Sequence, residues 1–572
     1  MSEMNEQLHN LRHSAAHLLA HAVTELFPGT KMTIGPVTET GFFYDFLPTT
    51  NFKEEDLPRI EARMRELAKK DYKIVGGQVP KAEARERFND NQFKLELIDE
   101  IPGDTVGIYS QGDFYDLCRG GHTSSTGDVK HFQLTSISGS YWRANREGVA
   151  LQRISGIAFE TKEDLDAYLQ RLEEVKMYDH RRLGKELDLF SFHEEAPGMP
   201  FFHHKGLLVY NKLIEFIRSL LRKDNQEIRT PLMMAEDLWK TSGHYDFYKD
   251  KMYFCTIDEQ TDCVRPMNCP GSILIYKERP RSYRELPLRL AEFGYVHRYE
   301  LSGVLHGLFR VRAFTIDDGH IYCTIDQVGD EVLKVLALAD KVYRAFNFSK
   351  IKIAISTRPE KYMGDDQDFE KATNSLKSAL DRTGVAYIIQ EGEGAFYGPK
   401  IEIVIEDSMG REWQCGTVQV DFTLPTNFDL EYIASDQSKK RPVIVHRAIL
   451  GSIERFLGMV LEHCKGRLPF WIAPVQARIL MITDHQSAYA TSLYEQLTAH
   501  GLRVEIDTSG DKISAQIRRA QMDKVPWMLV LGKKEEEQKT VTLRLADGQQ
   551  QGDLTVHDLC AKADALNAEQ SA

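Results

Sequence analysis

The sequence predicts a multidomain protein, α+β over most of its length and α/β at its C-terminal end. Three observations predict it. At 572 residues the chain exceeds what one compact core holds, so three or four domains are expected. Residues from Glu412 to Phe422 alternate with period two, as strands of a half-buried sheet do. After Trp471 the pattern changes to strand-like and helix-like runs in turn, ARILMIT, LRVEIDT and PWMLVLG being the strands.

Taken in order, residues 9–27 read as an amphipathic helix with His13 and His17, four apart, on one face. Mixed strand and helix patterns follow to residue 162, the end of the first expected domain. Residues 163–178 are charged, helix-favouring and free of glycine, the character of a linker helix. From 179 to 470 runs a long central domain whose strands include Lys400 to Asp407. Within it AILGSIERFLGMVLE reads as a helix, with Gly451 letting a neighbouring backbone approach closely. Residues 471–572 form the α/β end, where KKEEEQK reads as a solvated turn.

Composition removes several classes. The opening MSEMNEQLHN has no basic region followed by an apolar stretch, so no secretory signal is expected. No apolar run approaches the roughly 20 residues a membrane helix needs. Eight cysteines lie scattered without a C-x-x-C pair, which points to a reducing cytosol and a cytoplasmic protein. A net charge of −13 gives no global basic footprint, so any RNA must be met by local patches.

Chemistry concentrates in the central block. Cys269, His320 and His446 are one thiol and two imidazoles, the ligands of a tetrahedral zinc with an open fourth position. Arg298, Glu300, Arg310, Arg312 and Phe314 fall in EFGYVHRYELSGVLHGLFRVRAFTIDDGH, read as two strands and their connecting loop. Arginine suits bidentate phosphate recognition and stacking on a base, and Arg455 in SIERF adds another. Near the N-terminus His13, His17, Cys118 and His122 form H-x-x-x-H and C-x-x-x-H pairs. By spacing alone these four are a zinc set or a metal-free polar cluster.

Several stretches then carry a resemblance. EFGYVHRYE…LHGLFRVRAFT resembles motif 2 of the class II aminoacyl-tRNA synthetases, GSIERFLG their motif 3, and NQEIRTPLMM, with Pro231, their dimer-forming motif 1. MNCPGS, DDGH, GAFYGPKIEI and WQCGTVQVDF are similar to the threonyl-tRNA synthetase family in particular, and the likeness runs from His13 almost to the C-terminus. It implies an antiparallel-sheet catalytic core, an N-terminal α+β editing domain and a C-terminal α/β anticodon-binding domain. It implies a homodimer that joins L-threonine to tRNA(Thr) with ATP and Mg(2+). On this likeness Arg298 and Arg455 are catalytic, and Glu300, Arg310 and Phe314 complete the ATP set. Asp318, Tyr397, Gln414 and Gln419 bind threonine, beside one zinc on Cys269, His320 and His446.

HSAAHLLAHA and DLCRGGH resemble the family's editing domain, which is similar to that of the alanyl enzymes. His13, His17, Lys94, Asp116, Cys118 and His122 are then expected to cut mischarged serine from tRNA without a bound metal. Arg518, Glu535 and Arg544 fall at positions resembling anticodon readers. The resemblance also implies a form lacking the small ubiquitin-like domain that many bacterial members carry before the editing domain. Ile316, Ser272 and Gly121 depart from the family's usual glutamine, histidine and proline.

Overall fold

The computed structural model describes residues 3–145 and 148–568. They group into two compact units, Met1–Glu173 and Glu174–Ala572.

In the first unit a long helix, α1 (Glu3–Leu26), begins earlier than the sequence pattern suggested, because the polar residues ahead of Leu11 extend it without opposing it. Its buried Leu11, Ala15, Leu18, Leu19 and Ala22 follow helical spacing. They pack on β1 (Gly41–Leu47) in a four-stranded antiparallel sheet. The helix α2 (Gln92–Glu100) carries Lys94; β2 (Thr105–Gln111) and β3 (Phe114–Leu117) form a second, smaller sheet with Ile74–Pro80. Strands β4 (His131–Tyr141) and β5 (Ala150–Phe159), with the short strand Lys31–Met32, complete the first sheet.

The charged helix α3 (Lys162–Met177) contains the division between the units and is followed at once by α4 (His180–Glu186). The second unit is built on an eight-stranded sheet. Its middle runs antiparallel through β6 (Leu288–His297), β7 (Ala313–Cys323), β10 (Val443–Ser452), β9 (Glu412–Asp421) and β8 (Lys400–Glu406). The helix α5 (Cys269–Lys277) lies before β6 in sequence, and α6 (Ile453–His463) follows β10 directly.

Three local expectations change. AILGSIERF is not one helix: Ala448 to Ser452 finish β10, and the helix starts at Ile453. Sheet pairing overrides the helical pattern there, since Ala448 pairs with both Asp318 and Thr417. Arg298, Glu300, Arg310 and Arg312 lie on the connection between β6 and β7, with only Phe314 on a strand. The arginines stabilise that connection: Arg312 Nε donates to Glu300 O (2.8 Å) and its backbone N–H to Gly198 O (2.7 Å). Lastly, KKEEEQK is a short helix, Lys533–Gln538, rather than a turn, closed at its start by Glu535 accepting the Gly532 N–H (3.0 Å).

The C-terminal part of this unit has its own five-stranded sheet, three parallel strands extended by two antiparallel ones. Alternate residues face opposite layers. Ile479 and Leu529 pack with Tyr489, Leu493 and Leu559, while Leu480 and Met528 meet Ala520 of the helix Ile513–Met522. Helices therefore cover both faces, as the alternating pattern requires. No described helix is long and apolar enough to cross a membrane.

Candidate functional site

Strand register assembles the central site. His320 on β7 pairs with His446 on β10, and His446 pairs in turn with Gln419 on β9. Directly paired residues share a face, so one row runs across three strands. Cys269, at the first turn of α5, joins this row, and the thiol and two imidazoles bring donor atoms within 4.8 Å of one another. All three are buried. His320 Nε2 is buried without a hydrogen-bond partner, and His446 Nε2 donates to Asp421 at 2.9 Å. A soft sulfur, two imidazoles, an orphaned ring nitrogen and an orienting carboxylate fit a zinc ion. Burial holds His320 neutral, its pKa pushed down to about 4.

Around this row stand the expected threonine residues. Asp318, two positions from His320, accepts from Asn268 Nδ2 at 3.0 Å. Tyr397 donates its hydroxyl to Gln419 Oε1. Ser272 turns inward, its hydroxyl 2.7 Å from that of Tyr322. His244, which no sequence motif singled out, is buried with its ring 5.4 Å from Phe396 and 6.5 Å from Tyr397. Burial, with lesser help from His446 and Arg298, lowers its pKa to about 3, so it is neutral at pH 7.

A cavity of about 360 Å³ on the same sheet is lined by Arg298, Glu300, Arg310, Phe314, Arg455, Gln414 and Gln419. The five expected ATP residues and two of the expected threonine residues thus share one pocket, and Ile316 is also in its wall. Arg455 is largely buried, its Nε has no partner, and Arg310 lowers its pKa further after burial itself. Two like charges held together in this way favour an anion between them. Arg298 Nε donates to Pro266 O (3.1 Å), and its guanidinium lies 5.1 Å from the centre of the Phe314 ring. Glu300 sits 3.4 Å from Lys251 Nζ.

The floor of this pocket depends on Asp317, also missed by motif reading. Between Ile316 and Asp318 the β7–β10 register shifts. The extra amides of β10 are taken up by one buried carboxylate: Asp317 accepts from Ile449, Leu450 and Gly451 N–H at 3.0–3.2 Å. Gly451 adopts φ +71°, and a Cβ there would stand 2.9 Å from Cys415 O. The close approach expected at Gly451 is present, at a strand end instead of in a helix.

In the first unit a separate cavity of about 970 Å³ is lined by His13, His17, Lys94, Asp116 and Cys118, with Tyr44 among them. Lys94, almost wholly buried, pairs with Asp116 Oδ1 (2.5 Å) and donates to Tyr44 Oη (3.0 Å), while Tyr44 donates to Asp116 Oδ2 (2.5 Å). Cys118 Sγ lies 3.4 Å from His13 Nε2 and 3.1 Å from His122 Nε2. His13 Nδ1 donates to Gly121 O (3.1 Å), and Ser14 Oγ bonds His122 Nδ1 (3.2 Å). Burial lowers the pKa of all three histidines, to about 2 for His122, and each also repels a charge on its neighbours. Donor atoms of His13, His17, Cys118 and His122 lie within 4.8 Å of one another, a spacing that could also hold an ion. Gly121 has φ +83°, where proline, fixed near −65°, cannot stand.

The three expected anticodon residues come to one face of the C-terminal sheet. Arg518 is exposed on the helix Ile513–Met522, and Arg544 pairs with Met528, which packs beneath that helix. Glu535 accepts from Thr542 Oγ1 (2.9 Å), two residues from Arg544. Arg544 Nε is buried without a partner.

Comparisons with known proteins divide along the same lines. Residues 253–464 match the tRNA synthetase class II core domain (G, H, P, S and T), and 472–566 the anticodon binding domain. Residues 106–155 match the threonyl and alanyl tRNA synthetase second additional domain. The threonine–tRNA ligase of Acetivibrio thermocellus is 51% identical over 93% of this chain and 84% of its own. That of Clostridium botulinum strain Okra is 52% identical over 93% and 85%. Among solved structures, the RNA binding domain of threonyl-tRNA synthetase from Cryptosporidium parvum is 44% identical, with TM-score 0.66 over 68% of this chain and 98% of that one. A putative threonyl-tRNA synthetase from Aeropyrum pernix is 31% identical, with TM-score 0.62 over 69% and 96%. With such identity across nearly its whole length, carried on a sheet that gathers the thiol, the imidazoles and the arginines, the chain belongs to the threonine–tRNA ligase family.

Proposed function

We propose that this chain activates L-threonine with ATP, transfers it to tRNA(Thr), and hydrolyses seryl-tRNA(Thr) in its N-terminal cavity. The observation that supports this most is the union of two sites on one sheet face: an arginine-lined pocket and a thiol–imidazole row. Arg298 takes the α-phosphate and Arg455, with Arg310, the outer phosphates that travel with Mg(2+). Glu300 accepts from the adenine amino group and Phe314 stacks on the ring. The threonine carboxylate attacks the α-phosphorus, the bond to the β-phosphate oxygen breaks, and pyrophosphate leaves. Positioning and charge neutralisation carry such a step. A ribose hydroxyl of tRNA then attacks the activated carbonyl, and AMP departs.

Cys269, His320 and His446 would hold a zinc ion, which when bound would supply a Lewis-acidic point beside the substrate. Asp318, steadied by Asn268, accepts from the substrate's hydroxyl, and Tyr397, Gln414 and Gln419 close the pocket. Valine, lacking a hydroxyl, gives Asp318 no donor beyond Asn268 and is rejected. Serine keeps the hydroxyl and loses only a methyl contact of about 1–3 kcal/mol, so a second sieve is needed. In the N-terminal cavity the neutral His13 orients or deprotonates water, and Lys94, Asp116 and Tyr44 hold the aminoacyl group; His17, Cys118 and His122 act as hydrogen-bonding groups.

The same reading divides the chain into editing (1–162), linker (163–178), catalytic (179–470) and anticodon-binding (471–572) parts. Arg518, Glu535 and Arg544 meet the anticodon. A homodimer forms through the segment around Pro231, where Leu232 and Met233 are 40% and 42% exposed. All eight cysteines are free, in keeping with the cytoplasm. Pyrophosphate exchange with threonine, serine and valine in parallel tests the assignment. Strong exchange with threonine, weaker with serine and almost none with valine is expected. No exchange from folded, zinc-loaded protein overturns it.

A further inference from the structure

Among the described residues, three clusters of histidine, cysteine and carboxylate groups are close enough for a metal, and the third belongs to neither site above: Asp179, His180 and Glu462. It offers no vacant donor on its histidine. His180 is fully buried, and both ring nitrogens are engaged. Its Nδ1 donates to Glu462 Oε1 at 2.6 Å, while its Nε2 accepts the backbone N–H of Leu308 at 2.9 Å. A ring that accepts at Nε2 must carry its proton on Nδ1, and Glu462 fixes that tautomer. Glu462 is itself anchored, accepting also the His180 backbone N–H (2.8 Å) and pairing with Arg411.

What this imidazole holds is the connection between β6 and β7. The His180 ring packs against Phe309 with 4.0 Å between ring centres and their planes tilted by 44°, and Phe309 lies 4.3 Å from Trp413. Gly307, at φ +48°, passes so close that a Cβ would stand 2.2 Å from His180 Nε2. Leu308, Phe309 and Arg310, the three residues that follow, all line the nucleotide cavity. The chain from α4 therefore reaches the cavity wall through one hydrogen bond and one ring contact.

The geometry points to His180 as a positioning residue of the nucleotide site, setting Phe309 and Arg310 through the backbone of Leu308. It rests on the ATP reading above. His180 touches no substrate; its effect falls on the placement of the cavity wall. Loss of the acceptor at Nε2 frees Leu308 N–H, lets the connection leave its seat and disperses the positive charge beside Arg455. The consequence is specific: ATP binding weakens while the threonine row on β7, β9 and β10, which His180 does not contact, is unaffected.

The test compares wild type, His180→Phe and His180→Gln as full-length chains in threonine-dependent pyrophosphate exchange, with bound zinc measured alongside. Phenylalanine keeps a ring against Phe309 but removes the acceptor. Glutamine can present a carbonyl oxygen to Leu308 N–H. We expect His180→Phe to raise KM for ATP about tenfold or more, with KM for threonine and zinc content within about twofold. His180→Gln should restore KM for ATP to within about threefold of wild type. Should His180→Phe fail to fold, Gly307→Ala attacks the same seat from the half-buried loop and should raise KM for ATP in the same selective way. An unchanged KM for ATP in the folded variants, or an equal rise in KM for threonine, overturns the inference. Absence of exchange by the wild-type chain instead overturns the ligase reading itself, which separates the two failures.

Discussion

At the scale of single residues, the two thiol-bearing clusters make opposite predictions although their donor spacings are alike. Cys269→Ser should remove bound zinc and threonine-dependent exchange together, whereas Cys118→Ser should leave zinc content unchanged. Metal analysis of the two purified variants checks this, and zinc lost on changing Cys118 would make the N-terminal cluster a metal site. His13→Ala should leave threonylation of tRNA nearly intact but let seryl-tRNA accumulate, because the imidazole held by Gly121 O faces the cavity and not the sheet. Unaltered deacylation of seryl-tRNA by this variant would remove His13 from the reaction. Legibility at this scale was uneven. Cys269, His320, His446, Arg298 and Arg455 stand in motifs whose neighbours name them. Tyr44 and His244 do not, and Asn268 and Asp317, though inside MNCPGS and DDGH, gain their roles only from contacts with Asp318 and with the amides of β10, residues distant in sequence.

At the scale of elements, the β7–β10 irregularity is held by Asp317 alone among side-chain acceptors of the three amides described. Asp317→Ala leaves the Ile449 and Leu450 N–H groups buried and unpaired, at about 1–3 kcal/mol each, and takes the acceptor from the part-buried Gly451 N–H. The expected loss is at least about 2 kcal/mol in urea unfolding of the second unit. The helix α1 carries a pH dependence of its own. His13, His17 and, opposite them, His122 have folded pKa values below the usual 6.5, down to about 2 for His122. Their folded state binds fewer protons than the unfolded chain once pH falls under 6.5, so stability is full above that pH and declines below it. Each such histidine costs up to about 1.4 kcal/mol per pH unit. Thermal melts from pH 7.5 down to about 5 should show the first unit failing earlier, and His122→Gln should flatten the slope. The sequence misread two elements here for different reasons: strand pairing overrules the helical pattern of AILGS, whereas KKEEEQK follows its own helix-forming residues once Glu535 caps its start.

At the scale of the whole molecule, the fold class was legible because its signals are long: period-two strands, a charged glycine-free helix and an alternating C-terminal stretch. How those pieces join was not. Periodicity marks which residues face a core but not which strand lies next to which, so the sheet order of the second unit had to come from the structure. The exposed Leu232 and Met233 beside Pro231 carry the prediction at this scale. Leu232→Asp should halve the molar mass measured by light scattering and depress aminoacylation; a mass unchanged by this substitution places the contact elsewhere.

The paired row of His320, His446 and Gln419 also governs how this gene can tolerate lost or gained codons. Side chains on a strand alternate, so removing one residue from β10 ahead of His446 reverses the facing of everything between the deletion and the next fixed point. His446 would then point into the helical layer, and Arg447 would take its place in the pocket. Removing two residues restores the facing but carries His446 two positions along the strand, opposite Tyr322 instead of His320, so the row is still lost. Length changes in this strand ahead of His446 should therefore be excluded whether odd or even, because an odd change reverses the facing of His446 and an even one slides it off His320.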